Sequence, residues 1–157
     1  MPHLHEALDR LRELATDPFD QGRRFERLIK TALQKHPGIY GDRFEEVWLW
    51  SEWPEQDGPD RGIDLVAREQ DGGHCAIQCK FFAPDRPVPK SQIDKFISAS
   101  DREVFTSRLI VNTGGVIRSN TLKTLEQLKT PCRVLELADL AAWPVDDWRN
   151  FVEEPER

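Results

Sequence analysis

The chain has 157 residues, of which 38% are hydrophobic and 32% charged. This predicts one folded domain rather than a disordered polyampholyte. No window approaches the ~18 apolar residues that a membrane span requires, and the N-terminus lacks the pattern of a secretory signal, so we expect a cytoplasmic protein. The formal net charge of -6 argues against a coat protein that binds DNA regardless of sequence, because such binding depends on neutralising phosphates.

The charge is unevenly distributed along the chain. Residues 1–20 hold five acids and two bases, and residues 137–157 hold six acids and two bases. The middle, residues 21–136, carries 17 acids and 18 bases. Basic residues gather over 23–35 and again over 80–95, and each cluster predicts either a phosphate-binding surface or a solvated helix face.

Hydrophobic periodicity and turn signals predict the elements in the order ααβββαβαβα. Apolar residues at helical spacing predict helices over 4–15, after Gly22 up to His36, over 90–101 and over 118–129. Alternating or β-branched runs predict strands over 44–50, 63–68, 74–80, 108–112 and 132–137. Asp71-Gly72-Gly73 joins the second and third strands in a hairpin. The tail after residue 140 predicts short helices. Helices between the later strands predict an α/β fold, with a mixed sheet flanked by helices.

Three cysteines, Cys75, Cys79 and Cys132, are compatible with a zinc site or with buried small side chains. Cys75 and Cys79 lie in one predicted strand, where four residues span roughly 13 Å. Two thiolates that share one zinc each lie ~2.3 Å from it. The spacing therefore favours buried, reduced cysteines.

The predicted hairpin gathers polar side chains at one position of the sheet. Gln78 and Lys80 are two residues apart on one strand and project from the same face. A turn near Asp71 places Asp64 opposite roughly residue 79, within reach of both. Carboxylate and amide oxygens suit Mg²⁺, and a lysine beside them suits phosphodiester hydrolysis. The alternative is a cross-strand ion pair between Asp64 and Lys80 that contributes only about 0.2 to 1 kcal/mol.

Residues 59–67 (PDRGIDLVA) followed by 76–80 (AIQCK) resemble the PD-(D/E)xK nuclease superfamily. Within it they resemble the Mrr-like branch, where a glutamine replaces the second acid (D...QxK), and most of all the N-terminal nuclease of type ISP restriction-modification enzymes. This resemblance implies the restriction-endonuclease αβββαβ core, here with an extra N-terminal helix and a C-terminal helical tail. It also implies an endonuclease that acts on double-stranded DNA and requires Mg²⁺, with Mn²⁺ as a substitute.

Carried over residue by residue, Asp64 and Gln78 match the metal ligands and Lys80 matches the catalytic lysine. Glu26 matches the acid that the superfamily often contributes from its first core helix, and it would replace the charge that Gln78 lacks; the alternative is an exposed helical glutamate. Asp60 completes a literal Pro-Asp pair but precedes the strand, so Asp64 is preferred. For DNA contacts we expect Arg61, Lys90, Gln92 and Lys95, from the loop before Asp64 and from the helix after the catalytic strand.

The resemblance divides the chain into an N-terminal helical extension (1–20), a nuclease core (21–140) and an acidic tail (141–157) that leads towards a helicase domain. Its expected partners are double-stranded DNA and the helicase and methyltransferase domains of the same polypeptide, in an ATP-driven restriction enzyme. Two alternatives stay open: a catalytically weak nuclease fold that only binds DNA or protein, and a structure-selective resolvase.

Overall fold

The computed structural model describes residues 2–35, 43–59, 62–81, 86–143 and 148–153. Its helices are α1 (Pro2–Leu14), α2 (Pro18–Lys35), α3 (Lys90–Ala99), α4 (Ser119–Glu126), α5 (Leu137–Ala141) and α6 (Trp148–Glu153). Its strands are β1 (Phe44–Leu49), β2 (Leu65–Glu69), β3 (His74–Lys80), β4 (Phe105–Asn112) and β5 (Cys132–Glu136). A 3-10 turn over Trp50–Glu52 follows β1. None of the helices in the described ranges is long and apolar enough to cross a membrane.

The five strands form one sheet in the order β1-β2-β3-β4-β5. The pairs β1–β2 and β2–β3 are antiparallel, and β3–β4 and β4–β5 are parallel. Helices α3 and α4 provide the connections between the parallel strands, as parallel pairing requires. The predicted mixed α/β fold with an αβββαβ core is therefore confirmed.

The sheet separates two apolar cores. One face carries Leu65, Ala67 and Ile77, which pack with α1, α2 and α6. The other face carries Val66 and Ala76, which pack with α3 and α4. Residues 75–78 of strand β3 are buried on both sides of the sheet, so a polar side chain among them lies inside the protein and needs hydrogen-bond partners there.

Helix α2 begins earlier than predicted. The apolar periodicity predicts that residues 20–22 precede the helix, but the helix starts at Pro18. The Asp17 carboxylate accepts the Asp20 N–H at 2.8 Å, so Asp17 caps the helix, and Pro18 occupies the first helical position that proline favours. Gly22 is therefore a helical residue and not part of a turn.

Strand β2 also differs from its prediction. It begins at Leu65 rather than at residue 63. Simple alternation would put Ile63 on the same face as Leu65, but Ile63 packs in the opposite core with Val66 and Ala76. The alternation changes phase at Asp64, which directly precedes the regular strand. Strand β4 is longer than predicted, because it starts at Phe105.

Candidate active site

Strand β3 carries Gln78 into the protein interior. Its side chain is only 3% exposed, and its Nε2 donates to the Gly62 carbonyl at 3.2 Å. Because a carbonyl oxygen only accepts, this bond fixes the orientation of the amide. The Gln78 Oε1 atom then lies buried, with no hydrogen-bond partner in the described part of the chain. Such an oxygen is costly unless a ligand meets it.

Lys80 ends the same strand and is fixed at both its backbone and its side chain. Its carbonyl accepts the Thr113 N–H at 3.0 Å, which ties it to the end of β4. Its Nζ donates to Gln92 Oε1 at 2.7 Å. Gln92 lies in the first turn of α3, the helix that follows β3. The ammonium group is therefore held in place by a neutral side chain.

Asp64 is anchored where β1, β2 and β3 meet. Its N–H donates to the Ile77 carbonyl at 2.9 Å, and its own carbonyl accepts the Trp50 N–H at 3.0 Å. Its Oδ2 accepts the Cys79 N–H at 2.8 Å, which places the carboxylate beside residue 79, as the position of the turn predicts. The side chain also lines an open cavity of about 480 Å³ between α2 and the segment 50–59.

Glu26 approaches this position from α2, which packs against β3. The pKa of the Cys79 thiol is raised well above its ordinary value by burial, and then by the negative charges of Asp64 and Glu26, against the opposing charge of Lys80. Both carboxylates and the ammonium therefore lie within electrostatic range of one sulfur atom. The structure thus brings together Glu26, Asp64 and Lys80 around the β3 end that carries Gln78.

These residues suit a hard cation better than zinc. Among the described residues, no group of three or more histidine, cysteine, aspartate and glutamate side chains is placed so that it could hold a metal ion. Burial raises the pKa of Cys75 and of Cys132 to about 12, and the two thiols lie in opposite cores, so they do not share one metal ion. Two carboxylates and one unsatisfied amide oxygen match Mg²⁺, which takes few protein oxygens and keeps several waters.

Comparisons with known proteins agree with this architecture. The family model Mrr_cat_2, described as a restriction endonuclease, matches residues 35–157. The chain belongs to this family. No curated protein matches the chain.

Two solved structures resemble this member of the family. The ATP-dependent type ISP restriction-modification enzyme LlaBIII, solved bound to DNA, has 32% identity and a TM-score of 0.76 over 96% of this chain. The chain spans only 9% of that enzyme. The MspJI restriction endonuclease, in complex with a 27-mer oligonucleotide, has 20% identity and a TM-score of 0.56, and the match covers 85% of this chain and 30% of MspJI. The second similarity supports the fold alone.

The residues predicted to contact DNA lie in different surroundings. Arg61, like Asp60, falls outside the described residues. Lys90 is exposed and pairs with Asp94 at 2.8 Å on α3. Lys95 lines a separate cavity of about 490 Å³, together with Trp50 and Arg102. Gln92 has a contact that the sequence does not reveal, because its side-chain oxygen holds the Lys80 ammonium.

The basic residues of α2 lie in two different environments. Lys30 is only 6% exposed and pairs with Glu52 at 3.1 Å. Burial raises the pKa of Glu52, but the Leu49 N–H and Lys30 outweigh it, so the net shift is downward. This pair joins α2 to the 3-10 turn after β1. Arg23 and Arg27 line a surface cavity instead.

Proposed function

We propose that this chain is a Mg²⁺-dependent endonuclease domain that hydrolyses phosphodiester bonds in double-stranded DNA. The observation that carries the proposal is the buried Gln78 Oε1 atom, which has no hydrogen-bond partner in the described part of the chain and lies at the end of the strand that also holds Lys80. Membership of a restriction endonuclease family supports the same reaction class.

In this proposal Asp64, Gln78 and Glu26 hold the metal ion, with Mn²⁺ able to replace Mg²⁺. The bound ion would polarise the scissile phosphate and lower the pKa of a water molecule. Asp64 is prepared for this role because the Cys79 N–H orients its carboxylate. Glu26 supplies the second negative charge, which a metal shell with a neutral glutamine otherwise lacks.

Lys80 acts on the phosphate and the attacking water in the same proposal. The bond to Gln92 fixes the position of the ammonium group, from which it would donate to a phosphate oxygen or to the attacking water. A fixed positive charge at this point stabilises the negative charge that develops during hydrolysis. Gln92 thereby positions Lys80 without neutralising it.

The similarity to LlaBIII supports a place within a larger enzyme. LlaBIII is an ATP-dependent type ISP restriction-modification enzyme, and this chain covers 9% of it. We propose that residues 21–140 form the cleavage core of a comparable cytoplasmic restriction enzyme. Helicase and methyltransferase domains would supply ATP-driven translocation and modification. Helices α1 and α6, which flank that core in sequence, pack against each other.

The test is cleavage of supercoiled plasmid by the purified chain, with Mg²⁺ or Mn²⁺ and with EDTA. We expect metal-dependent nicked and linear products from the wild type and from Lys123→Ala, a control on the exposed side of α4. Lys80→Ala is expected to give none. Equal cleavage by Lys80→Ala would indicate a contaminating nuclease, and no cleavage by the wild type with either metal would favour the catalytically weak binding module. A single-stranded plasmid in parallel tests the preference for duplex DNA.

A further inference from the structure

Arg23 occupies a distinctive place on α2. It lines the 480 Å³ cavity that also exposes Asp64, and it lines a second cavity of about 280 Å³ with Phe19 and Arg27. We propose that Arg23 binds a backbone phosphate of the DNA next to the phosphate that is cleaved. The inference rests on the proposed nuclease function and adds a substrate-positioning residue to it.

The Arg23 side chain has donors to spare. It is 42% exposed, and its ion-pair contact with Glu26 is long, at 4.0 Å. Its guanidinium lies 5.8 Å from the centre of the exposed Phe19 ring, and it makes no side-chain hydrogen bond to the described residues. A guanidinium has five N–H donors in a planar fork that matches phosphate oxygens. The group is therefore charged, accessible and available for a ligand.

The neighbouring Arg24 shows the opposite arrangement. Its Nε donates to Asp20 Oδ2 at 2.9 Å. The pKa of Asp20 is lowered, first of all by this bond. Arg24 lines the second cavity but not the one that contains Asp64. Two adjacent arginines with similar exposure thus differ in how closely an acid pairs with them and in whether they line the cavity that contains Asp64.

The chemistry of the Asp64 cavity favours a phosphate over a neutral ligand. Arg23 stands at its α2 wall, and Ser51 offers a hydroxyl on the opposite segment. Successive phosphates of one DNA strand are only ~3.4 Å apart along the helix axis. A group that shares a cavity with Asp64 therefore reaches a phosphate close to the scissile one. Contacts of this kind fix the position of the duplex without reading its sequence.

The experiment measures DNA binding without cleavage. A fluorescently labelled duplex is titrated with the chain in EDTA between ~50 and ~200 mM salt, and log K is plotted against log salt concentration. We expect Arg23→Gln to make the slope less steep by about 0.9, the loss of one phosphate contact. Arg24→Gln is the matched control, with the same charge change one residue away, and should keep the wild-type slope. Arg23→Lys should keep the slope because the slope counts charges.

The outcomes separate this inference from the proposed function. Equal slopes for Arg23→Gln and the wild type, or an equal loss in Arg24→Gln, would overturn it, as would a wild type that binds no DNA at any salt concentration. A plasmid assay with no metal-dependent cleavage, alongside an Arg23-specific loss of slope, would overturn the nuclease function and leave the phosphate contact standing. Thermal melting of each variant verifies that it is folded.

Discussion

Polar side chains are buried at both ends of the β2–β3 pair, but their hydrogen bonding differs between the two ends. At the hairpin end, Glu69 is 6% exposed. It accepts the Ser107 hydroxyl and lies 3.4 Å from Arg43. At the other end, Gln78 is 3% exposed, and one of its two polar atoms has no partner among the described residues.

The difference separates a structural cluster from a candidate site. Buried polar groups in folded proteins are nearly always hydrogen-bonded, because an unmet one costs about 1–3 kcal/mol. Glu69 obeys that rule within the chain. Gln78 obeys it only if something outside the described residues meets its Oε1 atom. Substitutions at the hairpin end, around Glu69, should therefore lower the free energy of unfolding. Substitutions at the Gln78 end should instead lower the rate of DNA cleavage.

The largest effect is expected at Asp64. Asp64→Asn removes the negative charge and keeps an oxygen that accepts the Cys79 N–H, so the fold should persist. We expect plasmid cleavage to fall by about 10²–10³-fold or more, the scale seen when one electrostatic contribution to a transition state is removed. Cleavage is measured with Mg²⁺, and folding is measured by thermal melting. A folded Asp64→Asn protein with full nicking activity would reject the site.

The hairpin end should show the reverse behaviour. Glu69→Ala leaves the buried Ser107 hydroxyl without its acceptor, and we expect it to lower the free energy of unfolding by about 1–3 kcal/mol. Glu45→Ala is the control, because Glu45 pairs with Arg68 on the exposed surface and should cost less than about 1 kcal/mol. Urea denaturation measures both. Unchanged stability in Glu69→Ala would show that this cluster is not structural.

Much of the fold could be predicted because the sequence contains local signals for it. The alternating strands, the Asp71-Gly72-Gly73 turn and the apolar spacing of the helices all depend on near neighbours. The start of α2 also has a local signal, the Asp17-Pro18 pair, but neither residue is part of the apolar spacing on which the prediction of this helix rests. The change of phase at Asp64 had none, because the core that receives Ile63 is built from α3 and β4, far along the chain.

The candidate site, like the fold, could be predicted from the sequence only in part. Gln78 and Lys80 share a face by strand geometry alone, and the turn brings Asp64 to them. The unmet Gln78 oxygen depends on the Gly62 carbonyl, and the Lys80 orientation depends on Gln92. These partners lie 16 and 12 residues away, across loops whose paths no periodicity describes. The sequence therefore predicts the residue types, while the hydrogen bonds require the structure.

A smaller effect is expected when the unmet oxygen becomes a carboxylate. Gln78→Glu keeps an oxygen at similar reach and adds a negative charge, which is costly to bury without a cation. We expect it to retain some cleavage, and we expect Mg²⁺ to stabilise it by about 1 kcal/mol more than the wild type. Thermal melting across a Mg²⁺ titration measures this. Weaker Mg²⁺ binding in Gln78→Glu than in the wild type would contradict a metal role for residue 78.

The smallest effect concerns Glu136, a half-buried acid on β5 that lies opposite Asn112 of β4. It accepts the Asn112 amide N–H at 3.0 Å. Its pKa is raised above 4.5 by burial and, to a lesser extent, by Asp139, while the Asn112 bond opposes the rise. The folded protein therefore holds this proton more tightly than the unfolded chain does. Its contribution to stability is present at low pH and is lost as the pH rises from about 4.5 through the folded pKa.

Glu136→Gln should remove that pH dependence while keeping an oxygen for Asn112. We expect the variant to be slightly more stable than the wild type at pH ~7, and the difference to shrink as the pH falls towards the ordinary glutamate pKa. The effect is small because the group is only partly buried. Urea midpoints measured across this pH range, for wild type and variant together, cancel the titration of the other carboxylates. A variant that is less stable than the wild type at pH ~7, with a deficit that disappears as the pH falls, would mean that the charge of Glu136 holds Asn112 and that this residue belongs with Glu69 as a structural acid.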